Sequence, residues 1–346
     1  MPELTTLWFW IVAVMVTLWS VLDGFDFGVG VLHRFVGRTD SERREVLAAI
    51  GPVWDGNEVW LLASGGAIFL AFPRLLAAAF SGFYLPVIFV VWALILRGVS
   101  IELRSHLPSP LWRSFFDTTF AIASAAVPVL VGAALGNVVR GVPLTADGFF
   151  ELPLFATGDA LGVLDGYTVL CGGLVLVTLT AHGANWLVWK TGGAVQQRTL
   201  AVRTPLWLAA LTLWLVTGAA TWRVAPDVFA AAGTAPMAWL GLALVVGGAT
   251  TVLLKRHAER APFFGGVAFI AGSLVTAVAC LFPVVLRASG GPGLSLTVTN
   301  AASGAIALQS GLMWWGPGVL LAASYLAWVL RHFRGKVVAA QDGEGY

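Results

Sequence analysis

GPVWDGNEVW, residues 51 to 60, runs directly into LLASGGAIFLAF at 61–72, so two carboxylates stand at the start of a stretch apolar and long enough to cross a bilayer. Asp55 and Glu58 are three residues apart and share one face of a helix. An acid near mid-bilayer costs roughly 2.5–3.5 kcal/mol on insertion scales, and such groups face a bundle interior or a wet cavity rather than lipid. The segment therefore reads as the mouth of a polar path into the membrane.

The surrounding composition supports a membrane setting. Of 346 residues 58% are hydrophobic and 11% charged, where a soluble domain carries about 25% charged residues. Taking about 20 apolar residues per span, nine spans are expected, at 7–33, 50–72, 76–97, 115–136, 162–189, 205–224, 236–255, 262–286 and 306–331. The second and third are joined only by Pro73 and Arg74, which predicts a tight helical hairpin. No Lys or Arg precedes Leu7 and the first apolar run is of full membrane length, so no cleaved leader is expected.

Basic residues orient the spans. Arg34, Arg38, Arg43 and Arg44 follow the first; Arg97, Arg104 and Arg113 the third; Lys190, Arg198 and Arg203 the fifth. Lys255, Arg256 and Arg260 follow the seventh, and Arg331, Arg334 and Lys336 the ninth. Sixteen of the 20 basic residues thus share one side, against Arg74, Arg140, Arg223 and Arg287 on the other. This predicts an N-terminus outside and a cytoplasmic C-terminus.

With that orientation, Asp23, Asp26, Asp55, Asn57, Glu58, Arg97 and Glu102 all gather in the cytoplasmic half of one bundle. Five carboxylates beside one arginine repel one another, and clusters of this kind mark ion or proton routes. The plainer reading of Asp55 and Glu58 is that a helix N-terminus favours acids. That reading does not reach Asp23 and Asp26, which precede Phe27-Gly28-Val29-Gly30 near a helix C-terminus, where the dipole opposes them. Trp54 and Trp60 flank the acids, either as interfacial anchors or as lining of the path. Gly24 with Gly28, and Gly65 with Gly66, offer small faces for close helix packing.

VLDG occurs at 21–24 and at 163–166, which raises a parallel internal repeat. The expected depths differ, Asp23 lying inward and Asp165 at the outer mouth of the fifth span. Cys171 and Cys280 sit in apolar runs and are expected to pack without forming a disulfide or metal site. Of five histidines, His33, His106, His257 and His332 lie at the inner edge, leaving only His182 well inside a span. A bis-His haem needs two facing ligands, so His182 is a weak candidate for cofactor binding and is expected to be hydrogen-bonded within the bundle. Phosphate-loop, dinucleotide and hydrolase signatures are absent, and no nucleic-acid partner or metal ligand set is expected.

DGFDFGVG at 23–30, WDGNEVWL at 54–61, AAAFSGFYLP at 77–86 and RGVSIELR at 97–104 together resemble subunit II of the cytochrome bd-type, or cyanide-insensitive, quinol oxidases. GAALGNVVRG at 132–141 and HGA at 182–184 fit the same pattern. The resemblance implies an all-α fold of two four-helix bundles plus a peripheral helix. It implies a bacterial cytoplasmic-membrane complex that oxidises quinol and reduces oxygen to water, electrogenic without a pump. Haems b and d would belong to a partner, subunit I, and the present chain would bind no cofactor, hold no catalytic residue, stabilise that partner and supply its cytoplasmic proton route. By position, Asp55 would be the central acid of the route, Trp60 would line it, and Arg97 would stand where it passes toward subunit I. Asp23 and Asp26 match family acids of entry or structural role, and Glu58 extends the set. The resemblance also leaves room for a small accessory transmembrane subunit.

The organisation expected is a first four-helix bundle over 1–136, an outer loop over 137–161, a second bundle with the peripheral helix over 162–335, and a disordered cytoplasmic tail over 336–346. The residues alone also admit a proton-coupled secondary transporter, or a scaffold whose acids only hold its partner.

Overall fold

The computed structural model describes residues 2–156 and 161–337. Eight helices are long and apolar enough to cross a membrane. They are α1 (Pro2–Val36), α5 (Tyr84–Leu103), α6 (Pro110–Arg140), α7 (Gly166–Lys190), α8 (Gly193–Val224), α10 (Pro236–Leu254), α11 (Ala261–Leu281) and α12 (Ala305–His332). The count rises to nine if the bent pair α3 (Trp54–Ala71) and α4 (Pro73–Gly82), whose axes differ by 117°, is taken as one span. Short helices α2 (Asp40–Ala48) and α9 (Pro226–Ala231), a 3-10 turn (Pro292–Leu294) and a two-stranded antiparallel ribbon, β1 (Val284–Leu286) with β2 (Leu296–Thr297), complete the described elements.

The bend revises the expected hairpin at 72–76. Phe72 leaves the helical region, with φ −134° and ψ 60°, and Pro73 then opens α4, where a missing N–H costs nothing. The run LLAAAF at 75–80 therefore belongs to α4, and the next span starts at Tyr84 instead of 76. Gly82, the last residue of α4, packs under Phe150: a Cβ there would lie 2.1 Å from the ring. Ser303 seals the end of α3, its N–H donating to Ala71 O at 2.9 Å and its hydroxyl to Leu70 O at 2.6 Å. Carbonyls left open by the break are satisfied in this way.

Helix α1 runs through the middle, packed against α3, α6, α7 and α11. Its closest neighbour is α7, because Gly28 and Gly183 meet backbone to backbone: a Cβ on Gly28 would stand 2.0 Å from Leu179 O. Gly24 faces the Leu179 side chain on the same seam. Glycine pairs Gly241 with Gly272 and Gly248 with Gly265 bring α10 and α11 together in the same manner. Helix α12 is mostly exposed and folds back onto α1 and α3, where Gly311 leaves room for Trp8 and Leu70.

The two VLDG motifs have different jobs. Asp23 is enclosed within α1, whereas Asp165 caps α7, accepting from Tyr167 N and Thr168 N at 2.9 Å each and pairing with Arg140. Cys171 is buried and unpaired, Cys280 half-buried and unpaired. Asp159 and positions 338–346 of the expected tail lie outside the described residues.

Candidate functional site

Positions 19, 23 and 26 of α1 follow one face, since residues three and four apart lie one above the other on a helix. Opposite them stand Asn57 and Glu58 on the first two turns of α3 and Arg97 toward the end of α5. Arg97 is fully buried and joins the three helices. Its Nη2 donates to Asp23 Oδ1 at 2.7 Å, its Nη1 donates to Glu58 Oε1 at 2.7 Å, and Asp26 Oδ2 lies 4.0 Å from Nη2. The planar fork of a guanidinium suits such divergent carboxylates. Trp19 Nε1 donates to the second oxygen of Asp23 at 2.9 Å, and Asn57 Nδ2 donates to Asp26 Oδ2 at 2.8 Å and to Leu22 O at 3.2 Å. The Phe27 ring lies 4.4 Å from the guanidinium carbon, a cation–π contact made stronger by burial.

Exposure falls steeply across this group. Asp55 is exposed on the first turn of α3, the Glu58 side chain is 25% exposed, and Asp23, Asp26 and Arg97 are sealed. Three carboxylates surround a single guanidinium, so the cluster has room for an exchangeable proton, and the acids step from surface to interior along α3 and α1. Trp60, almost fully buried, packs with Trp19, Phe27 and Ala93 against the cluster.

Of the residues singled out in the sequence, Asp23, Asp26, Asn57, Glu58 and Arg97 come together. Asp55 stays outside the hydrogen-bonded group, one helical turn from Glu58, and Glu102 lies on an exposed face of α5. Residues the sequence reading missed are Trp19 and Asp117. Asp117, on α6, is fully buried at the centre of a second network. Its Oδ1 lies 2.6 Å from His33 Nε2 and accepts from Arg104 Nε at 2.5 Å, while its Oδ2 accepts from Arg43 Nη1 at 3.0 Å. Arg104 continues to Asp40 at 2.8 Å, which also pairs with Arg113 at 2.8 Å. The signal was available: Asp117 in SFFDTTF is an acid at the start of an apolar run, the same pattern that singled out Asp55.

His182 is buried on α7 and donates from Nε2 to Val21 O at 3.2 Å, with its ring stacked on Phe263 at 4.8 Å. That leaves only Nδ1 for an iron, and this nitrogen faces Gly266, where a Cβ would stand 2.6 Å away. The site does not fit a haem ligand. Among the described residues no group of three or more His, Cys, Asp or Glu is placed to hold a metal ion.

Fold and site together define an all-α, multi-pass membrane protein with charged groups enclosed at one end of its bundle. The family model described as cytochrome bd terminal oxidase subunit II matches residues 4–333, and the chain belongs to that family. It is 33% identical to the cytochrome bd-I ubiquinol oxidase subunit 2 of Escherichia coli K12, with 96% of this chain and 94% of that one covered. It is 33% identical to the cytochrome bd ubiquinol oxidase subunit 2 of Bacillus subtilis, with 89% of each covered. It is 32% identical to a probable cytochrome oxidase subunit 2 of Haemophilus influenzae over 96% of this chain and 95% of that one. A chain of the solved bd oxidase from Geobacillus thermodenitrificans shares the fold, with a TM-score of 0.78 at 14% identity, covering 96% of this chain and 98% of that chain. Family membership makes this chain one subunit of a terminal oxidase in the bacterial cytoplasmic membrane and implies a subunit I beside it.

Proposed function

We propose that this chain is the haem-free subunit II of a quinol-oxidising bd oxidase, that it stabilises subunit I, and that it carries cytoplasmic protons to the oxygen-reducing haem of that partner. The haems b and d, held by subunit I, supply the electron transfer and oxygen chemistry. What this chain supplies is the path. Asp55 collects protons at the exposed start of α3, Glu58 passes them inward, and the Arg97 group with Asp23 and Asp26 holds one in transit beside the Trp60 wall. The N-terminus is then outside and the C-terminus cytoplasmic, in line with the sixteen basic residues on one side. Uptake from the inside for chemistry whose quinol protons leave outside makes turnover electrogenic without a pump.

The observation that carries this reading is the buried Arg97 holding Asp23 and Glu58 at 2.7 Å each, because carboxylates this deep are expensive unless they have work to do. The reading assigns subunit I to the open face of α3 and α5. Leu62 is 75% exposed, Phe69 67% and Trp92 65%, and Gly65 and Gly66 have no neighbour within 4 Å of an added Cβ. This face adjoins Asp55 and Glu58, so a path ending there ends at the partner. The same reading divides the chain into a path-bearing bundle over 1–136 and a second bundle over 162–335.

Asp55→Asn in the assembled oxidase is expected to slow oxygen consumption about 10-fold or more, general acid–base steps contributing roughly 10²–10⁴, with the haem spectrum unchanged. Normal turnover removes Asp55 from the path. Loss of haem from the complex would mean instead that the acid only holds the partner in place.

A further inference from the structure

Helix α1 carries a longer polar stripe than the Arg97 cluster uses. Asp23, Asp26, Gly30 and His33 are spaced three, four and three apart, which keeps them on one face. Facing its last two turns is α6, with Asp117, Phe120 and Ser124. Gly30 makes room for Ser124, whose Oγ would stand 2.0 Å from a Cβ at that position. One turn further along, His33 Nε2 meets Asp117 Oδ1 at 2.6 Å and the imidazole sits edge-on to Phe120 at 5.4 Å.

Three polar atoms on this stripe are buried without a protein hydrogen-bond partner: Asp26 Oδ1, Ser124 Oγ and His33 Nδ1. All three residues are 0% exposed. Unpaired buried polar atoms are uncommon, and where they gather the usual partner is ordered water. Ser124 Oγ packs against Gly30, on the α1–α6 seam between the turns that carry Asp26 and His33.

We propose that Ser124 links the His33–Asp117 pair to Asp26 through bound water, giving the carboxylate cluster a second inner limb that does not pass Asp55. This rests on the proton-path reading above. The pair lies near the surface: Arg43, 23% exposed, bonds Asp117 directly, and Asp40, 35% exposed, reaches it through Arg104; neither guanidinium can pass a proton on, so these residues hold the pair in place and the limb is entered through water at His33. His33 keeps its Nε2 hydrogen on the Asp117 carboxylate, and Nδ1 takes a proton from water on the entry side and returns it to water on the Ser124 side. Ser124 Oγ accepts one proton from that water and gives up its own hydrogen toward Asp26 Oδ1. One proton enters and one leaves at each step, and no electron moves.

The test uses the assembled oxidase with Ser124→Ala, which removes an oxygen that holds no protein partner and so leaves the fold intact. Oxygen consumption and its solvent deuterium isotope effect are measured for Ser124→Ala, Asp55→Asn and the double variant, with the haem spectrum confirming assembly. The single Ser124→Ala change is expected to lower turnover less than about 2-fold. In the Asp55→Asn background it is expected to remove most of the remaining activity, about 5-fold or more, with a changed isotope effect. Residual turnover of Asp55→Asn unaffected by Ser124→Ala overturns the second limb while leaving the first in place. If Asp55→Asn turns over normally, the assignment of Asp55 fails separately, and Ser124 is then judged in the wild-type background. There a loss of several-fold supports the limb and no change overturns it.

Discussion

Without its guanidinium, Arg97 would leave Asp23 held by Trp19 alone and Glu58 with no cation, three carboxylates then sharing one enclosed space. Breaking a buried pair by removing one member costs about 3–5 kcal/mol, far more than the pair itself contributes. Arg97→Met is therefore expected to abolish or severely weaken the assembled complex, read as a lower Tm and loss of haem. Asp23→Asn, which leaves Arg97 its bond to Glu58, is expected to lose markedly less stability; equal losses would remove the distinction. At this scale the charged members were legible, because an ionisable residue in an apolar run stands out by cost alone. Their partners were not. Trp19 looks like any membrane tryptophan until the Asp23 carboxylate is seen 2.9 Å from its Nε1, and which of two oxygens Asn57 serves depends on where α1 and α3 meet.

Elements were legible by number and less so by edge. Nine apolar runs correspond to eight long helices and one bent pair, but the third span was placed about two turns early, because LLAAAF reads equally well as part of α4 or of a continuing span. The break falls at Phe72, and α4 ends at Gly82 under Phe150, a contact 68 residues away that no local pattern announces. Helix α2 was not expected at all. Its polar sequence DSERREVLA gives no span signal, yet a capping box between Thr39 and Glu42 starts it. It then ties both halves of the molecule: Arg43 reaches Asp117 on α6, Glu42 pairs with Arg198 on α8, and Glu45 accepts from Gly192 N at 3.0 Å. The Arg198 guanidinium, with help from the backbone N–H groups of Thr39 and Arg38, holds the Glu42 carboxyl down at about 2 from an ordinary 4.5. A depressed carboxylate contributes stability that is complete above its unfolded pKa and is lost as pH falls through its folded one. Glu42→Gln is thus expected to lower Tm by a constant amount above pH 5, the difference narrowing from about pH 4.5 and vanishing toward pH 2. A gap that persists at low pH would show that charge is not what anchors α2.

At the scale of the whole molecule, α1 is the axis: it is enclosed by α3, α6, α7 and α11, so its acids cannot reach lipid and its glycines set the distance to α7. The open surface lies elsewhere, and its most distinctive part is the α3 stripe of Asp55, Val59, Leu62, Gly65, Gly66 and Phe69, which descends from an acidic end to an apolar one at helical spacing. Lipid makes little distinction between glycine and leucine, whereas a packed helix does, because small residues are what let two backbones approach in a membrane. A Cβ added at Gly65 meets nothing within 4 Å among the described residues, and Gly65→Leu replaces a poor helix former with a good one, so the subunit alone should fold as before. Against a packed partner the added side chain costs about 1–3 kcal/mol, equivalent to roughly 5- to 150-fold in association. The expected result is a chain that still reaches the membrane but co-purifies with several-fold less subunit I and less haem. The same change at Gly218 on α8, also free of neighbours within 4 Å, is expected to have no such effect. Equal recovery of subunit I with both variants would move the interface, and with it the exit of the proposed path, to another face of the bundle.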